Sequence, residues 1–232
     1  MPRGKVVIVC GIIGSGKSSL SRELADALGE GTLWLKEPDE TGGNPYLGDY
    51  YGDPKRWAFT MQLALLAHRF SQHQHAQWAS FMGKHTILDS SYWQDTAFAR
   101  LQLKQGLMTQ REFDTYSGIY RAMTASVLYP TACVHIQVTP EVANRRISRR
   151  MEKQTGRKCE TAIDLDYLRG LETEIGHVLT VLKDKGVPVI EIPWNDDRGT
   201  KEARHSTVVS LAEKILAITP SDPFLDLHRR TV

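Results

Sequence analysis

The amino-acid sequence predicts an α/β protein: a five-stranded parallel sheet flanked by helices. Three observations predict it. Short apolar runs alternate with longer stretches of helical period along the chain, which is the pattern of strands joined by helical crossovers. Those runs are almost continuously apolar, as strands covered on both faces must be. The stretch Lys5–Leu20 joins the first run to a helix through a glycine-rich turn. A chain of 232 residues is long enough for one domain with a sizeable core, expected over 1–218, and residues 219–232 form a tail without clear period.

Val6–Cys10 is the first strand. A helix follows from Lys17 to Leu28, with Leu20, Leu24 and Leu28 on one face and Gly29 and Gly31 stopping it. A second strand at Thr32–Lys36 runs into Glu37-Pro38, where proline disfavours helix in the preceding residue. Residues 39–53 are rich in Gly, Asp, Asn, Tyr and Pro and read as a loop lining a site. Pro54 opens a long helix through Ser80, and Thr86–Leu88 forms a third strand that leads into Asp89. Helices are expected near Asp95–Gln105 and Thr109–Val127, then a strand at Ala132–Val138. Thr139-Pro140-Glu141 starts the next helix by N-cap and first-turn proline. Residues 149–162 are basic and polar; a helix at Asp164–Lys185, a fifth strand at Val187–Ile192 and a last helix at Lys201–Ile218 complete the chain.

The hydrophobic fraction of 41% is ordinary for a soluble globular protein. A formal charge of +2 is too small to mark a dedicated nucleic-acid binder. Cys10, Cys133 and Cys159 are odd in number and share no close spacing, which points to reduced thiols in a cytoplasmic protein. No apolar run reaches membrane-spanning length, so no membrane partner is expected, and the N-terminus lacks the apolar core of a signal peptide.

The chemistry begins in the first loop. Gly11, Ile12, Ile13, Gly14, Ser15, Gly16, Lys17, Ser18 and Ser19 carry the spacing G-x-x-x-x-G-K-[ST] of a phosphate-binding loop. Glycines let successive N–H groups converge on an anion, and the helix N-terminus adds partial positive charge. Lys17 is placed to reach the β- and γ-phosphates of a nucleoside triphosphate and Ser18 to ligate Mg²⁺. In parallel sheets the reacting groups gather beyond the carboxyl ends of the strands. That rule selects Glu37, Asp89 and the arginines after the fourth strand, Arg145, Arg146, Arg149 and Arg150, with Arg157 and Lys158 beyond them. Two carboxylates beside a triphosphate suggest two jobs, accepting a proton and organising Mg²⁺. The plainer readings are a solvated charge for Glu37, a helix cap for Asp89 and a solvated face for the basic run. Beside a phosphate loop, a cationic lid is the reading preferred here.

Several blocks, in order, resemble the deoxyribonucleoside kinases of the P-loop kinase fold. They are GIIGSGKSS at 11–19, KEP at 36–38, YGDPKRWAFTMQ at 51–62, DSSYWQD at 89–95, TPEVANRRISRR at 139–150 and IDLDYLRGLE at 163–172. The resemblance implies a three-layer sandwich with a basic lid, and transfer of the γ-phosphoryl of ATP to the 5′-hydroxyl of a deoxynucleoside. It implies Glu37 as general base, Tyr51 on the sugar 3′-hydroxyl, and Gln62 on the base edge with Arg69 and Asp95 beside it. Arg146 and Arg150 are similar to the lid arginines on the phosphates, and Glu160 to the lid carboxylate near the sugar. A homodimer packed through the long helix is implied as well, although that helix's own core would absorb its apolar face equally well.

The sequence departs from the pattern in three places. The family's arginine after the third strand is Ser90 here, so a cation beside the reacting hydroxyl is missing, and Arg146, Arg149 or Arg150 is expected to replace it. The aromatic pair that sandwiches the base falls on Met61 and Ala99 in an ungapped reading, which makes room and reduces stacking. The lid is about five residues longer, around Met151–Thr155. These departures keep open a nucleoside monophosphate or a hydroxymethylated base, in a nucleotide or in DNA, as the acceptor, and a nucleotide-binding module without catalysis. His68, His73 and His75 read as a solvated helix face, and Trp57, Trp78 and Trp93 as core.

Overall fold

The computed structural model describes residues 3–37, 44–153, 163–195 and 201–220, without the side chains of 152 and 153. Strand β1 (Val6–Cys10) lies at the centre of the sheet, since its last four residues are all buried. In chain order come α1 (Lys17–Ala27), β2 (Leu33–Leu35), α2 (Leu47–Gly52), α3 (Pro54–Phe81), β3 (Thr86–Leu88), α4 (Tyr92–Lys104) and α5 (Gln110–Thr124). There follow β4 (Ala132–Gln137), α6 (Pro140–Lys153), α7 (Leu165–Asp184), β5 (Val189–Pro193) and α8 (Lys201–Ala217). The strands pair in parallel in the order β2-β3-β1-β4-β5. The chain leaves β1 for the edge at β2, returns through β3, and crosses to β4 on the other side. That reversal opens a crevice above the carboxyl end of β1, where ligands of such sheets bind.

The helices cover the sheet by their apolar stripes. Leu20, Leu24 and Leu28 with α1, Leu168, Leu171, Ile175 and Leu182 of α7, and Leu211 and Ile215 of α8 join the strands in one cluster. A second cluster, with Leu66, Tyr92, Ala99, Tyr116 and Val127, lies among α3, α4 and α5. Glu174 of α7 is buried and holds Arg100 at 2.9 Å and Lys104 at 2.5 Å, which ties α4 to α7.

The element pattern follows the expectation closely and differs in three places. Residues 47–52 of the expected loop form α2, because Tyr50 is buried against Ala58 and Met61 of α3. Helix α4 starts three residues before Asp95: the Ser91 side chain accepts from the Gln94 N–H and caps it, and Ser-x-x-Gln is a readable capping signal. The basic segment expected at 149–162 opens as the last turn of α6. Residues 154–162, with Arg157, Lys158, Cys159 and Glu160, lie outside the described residues, as does the tail from 221. Cys10 and Cys133 are buried free thiols.

The three helical histidines do not share one solvated face. His73 is 2% exposed, with its ring 4.3 Å from that of Tyr92. Burial, reinforced by the Arg69 charge, pushes its pKa down to about 3. Trp78 is not core but exposed, whereas Trp93 packs on core residues and Trp57 stacks on Tyr46. His73 stays neutral in the fold while an unfolded chain protonates it near pH 6.5. The unfolded state therefore binds more protons as pH falls below about 6.5, and stability declines by up to about 1.4 kcal/mol per pH unit from this group. His73→Gln is neutral at every pH and should flatten that decline, measured as Tm between pH 7.5 and pH 5.

Candidate active site

A cleft of about 580 Å³ opens above β1, a size suited to small-molecule ligands. Its floor on one side is the loop between β1 and α1. Gly16 sits at φ +96° at the N-cap of α1 and Gly14 at φ +79°, both left-handed. A Cβ on Gly14 would lie 2.6 Å from the Ala143 carbonyl, so only glycine lets α6 approach the loop this closely. Lys17 is buried and donates to the carbonyls of Gly11 and Ile12, each at 3.0 Å. Arg146 donates to the Ser15 carbonyl at 3.2 Å and to the Trp194 carbonyl at 2.7 Å, bringing the arginine helix to the loop.

Of the residues expected in the site, Ile13, Gly14, Gly16, Lys17, Ser18, Ser19, Glu37, Tyr51, Met61, Gln62, Arg69, Arg146 and Arg150 line the cleft. Gly11, Ile12 and Ser15 are buried beneath them, and Asp89, Ser90 and Asp95 are buried behind the wall. Glu160 lies outside the described residues. Gln62 is 0% exposed, and neither end of its amide has a hydrogen-bond partner among the described residues. A buried amide aimed at a cavity in this state is built to meet donors and acceptors on a ligand.

Arg69 joins the carboxylates. Its guanidinium donates to Glu37 Oε1 at 2.6 Å and pairs with Asp95, whose side chain is fully buried. Asp89 follows β3 and is 1% exposed. Burial, the first cause, and the neighbouring Glu37 raise its pKa, while Lys17, the Ser18 hydroxyl and Arg69 oppose the rise. Neither Asp89 oxygen has a hydrogen-bond partner that meets ordinary geometry among the described residues. An orphaned buried carboxylate beside a serine hydroxyl fits a divalent cation that takes its remaining ligands from phosphate and water.

Two expectations about the pocket change. Ala99 belongs to the α3–α4–α5 cluster and does not line the cleft; Phe98, one position earlier and a helical step around α4, does. An aromatic face is therefore present where the ungapped reading removed one. Ser90 is buried, its hydroxyl unpartnered among the described residues, and it does not line the cleft. Tyr50, Gln102 and Tyr167, absent from the sequence-based expectation, also line the cleft, and Gln102 donates to the Tyr50 hydroxyl at 3.2 Å. Tyr167 lies within the matched IDLDYLRGLE block and was legible there; Tyr50 and Gln102 meet only in three dimensions.

Removing Arg69 alone would leave Asp95 charged and unpaired in the interior. Arg69→Met should destabilise the fold by about 3–5 kcal/mol in denaturant titrations, and the double change Arg69→Met with Asp95→Leu should recover most of it. Equal losses in the single and double variants would show that the pair is not what Asp95 requires.

Comparison with known proteins agrees with this geometry. A family model described as deoxynucleoside kinase matches residues 7–217. The deoxyadenosine kinase of Dictyostelium discoideum is 31% identical over 193 residues, 83% of this chain and 74% of that protein. The deoxyadenosine/deoxycytidine kinase of Bacillus subtilis (strain 168) is 33% identical over 174 residues, 75% of this chain and 76% of its own length. A structure of deoxyadenosine kinase from M. mycoides with bound dATP shares the fold, with a TM-score of 0.71 at 24% identity over 91% of this chain and 98% of that one. The match runs from the first strand to the last helix, and the chain belongs to the deoxynucleoside kinase family.

Proposed function

We propose that this protein transfers the γ-phosphoryl group of ATP to the 5′-hydroxyl of a deoxynucleoside. Phosphorylation of a deoxynucleoside follows from the family; the roles below rest on the geometry. The observation that carries them is Glu37, at the mouth of β2, in one cleft with Lys17 and Ser18 of the phosphate loop and the unpartnered amide of Gln62. The acceptor lies with its base against Gln62, Met61 and Phe98 and its sugar toward Tyr51. Glu37 takes the proton as the 5′-oxygen forms its bond to the γ-phosphorus, and the bond from that phosphorus to the bridging oxygen of ADP breaks. Lys17 follows the charge on the transferred group, with Arg146 and Arg150 on its other side. Mg²⁺, held by Ser18 and Asp89, would neutralise charge on the phosphates.

Arg69 supplies the cation beside Glu37, a place the sequence reading gave to the lid arginines. Its 2.6 Å contact with Glu37 and its burial support this assignment. Ser90 does not line the cleft and Phe98 restores an aromatic face, so both observations favour a plain deoxynucleoside over a bulkier or already phosphorylated acceptor. A binding-only module has no use for Glu37 and an orphaned Asp89 in one site. We assign the protein to the cytoplasm on its reduced thiols, and to a homodimer through α3, whose C-terminal turn exposes Trp78 and Phe81. No helix among the described residues is long and apolar enough to cross a membrane.

Labelled ATP offered against nucleosides, nucleotides, modified nucleosides and oligonucleotides tests the reading; label should pass to deoxynucleosides and to no oligonucleotide. Glu37→Gln keeps shape but cannot take a proton, so kcat should fall by about 10²-fold or more while deoxynucleoside affinity holds. A rise in KM alone would make Glu37 a binding residue. Gln62→Ala should flatten the preference among bases, since a well-placed amide discriminates by about 1–3 kcal/mol. A preference left unaltered would put the base elsewhere in the cleft.

A further inference from the structure

Hydrogen bonding along β1 alternates between its neighbours. The Lys5 carbonyl accepts from Thr86 N–H at 2.8 Å on the β3 side, and the Val6 carbonyl from Thr131 N–H at 2.7 Å on the β4 side. By that alternation the N–H of Gly11 points toward β3. Strand β3 has ended by then, at the pair Ile8–Leu88, so no ladder carbonyl meets it. The acceptor is instead a side chain: Gln94 Oε1, at 3.0 Å and buried. Gln94 is itself fixed, with its N–H held by the Ser91 carbonyl at 3.1 Å and its side chain 1% exposed. On its other side Gly11 is enclosed, since a Cβ there would lie 2.8 Å from Ser15 Oγ and 3.1 Å from the Ile136 carbonyl. The carbonyl of the same Gly11 receives Lys17.

We propose that Gln94 is a positioning residue for the phosphate loop, replacing the missing rung of the sheet and fixing the residue on which the loop and Lys17 are set. The residue after it, Asp95, pairs with Arg69, which holds Glu37. One turn of α4 therefore sets the donor side and the acceptor side in register: Gln94 on the loop, Asp95 on the base. Gln94 does not line the cleft and touches neither reactant; it acts through Gly11.

This inference rests on the loop being the ATP site, and the test separates the two. Gln94→Met keeps the volume and removes the acceptor, leaving a buried N–H unpaired. kcat/KM for ATP should fall about tenfold or more, the usual penalty for such a group, while the deoxynucleoside Kd, read by calorimetry, stays within about twofold. Gln94→Glu restores an oxygen acceptor and should regain most of the loss. Gln94→Asn, one methylene too short, provides a second removal if the methionine variant folds poorly. Unchanged ATP kinetics in both removal variants would overturn the proposal. So would parallel losses of ATP and deoxynucleoside binding that Gln94→Glu does not repair, because Gln94 would then be packing alone. Lys17→Ala in the same assays addresses the loop: if it keeps ATP binding and turnover, the ATP-site reading fails, whereas its loss beside an unaffected Gln94→Met sinks only the role of Gln94.

Discussion

A buried guanidinium between two carboxylates organises one side of the cleft in this protein. Arg69 comes from the middle of α3, Glu37 from the end of β2 and Asp95 from the first turn of α4. Burying such a group gains little net stability, because desolvation offsets most of the attraction. What it contributes is position: three elements far apart in sequence must meet at one point for the charges to be satisfied. Helix α3 is 28 residues long. One helix carries Met61 and Gln62 at the cleft, Arg69 under it, and His73 beyond, where the arginine's charge helps keep the imidazole neutral.

The two sides of the cleft are built from different materials. The side we assign to the phosphate donor is mostly backbone: a glycine loop, the N-terminus of α1, and carbonyls that hold Lys17 and Arg146. Backbone presents the same groups whatever the neighbouring side chains, which suits a ligand recognised by its phosphates. The side we assign to the acceptor is side chains: Gln62, Phe98, Tyr51 and Arg69. On that proposal, recognition there is set by shape and by amide and guanidinium geometry, and a single substitution alters it.

That division explains what the sequence made legible. The loop from Gly11 to Ser19 and the alternation of strands and helices are local patterns, and the fold follows them to within a few residues at most element ends. Helix α4 begins three residues before the expected Asp95, at a cap that Ser91 and Gln94 spell. Helix α2 has no comparable signal; Tyr50 makes it a helix by packing on α3, a contact that no local pattern encodes. The partner of Glu37 was unreadable for the same reason, since Arg69 is 32 residues away. Phe98, which lines the cleft, and Ala99, which does not, are a single helical step apart, about 100° around α4. His73, in a stretch of polar residues, gave no sign of its burial because the helix turns that one position toward Tyr92.

The close approach of Gly14 to Ala143 has a mechanical meaning. Ala143 and Ile147 of α6 rest directly on the loop backbone, and Arg146 is bonded to the Ser15 carbonyl. Up to Ile147, then, α6 is held against the loop. Arg146 and Arg150 are a single turn apart yet fall on opposite sides of that boundary. The first is tied to the floor of the cleft, and the second lines the cleft one turn farther along the helix.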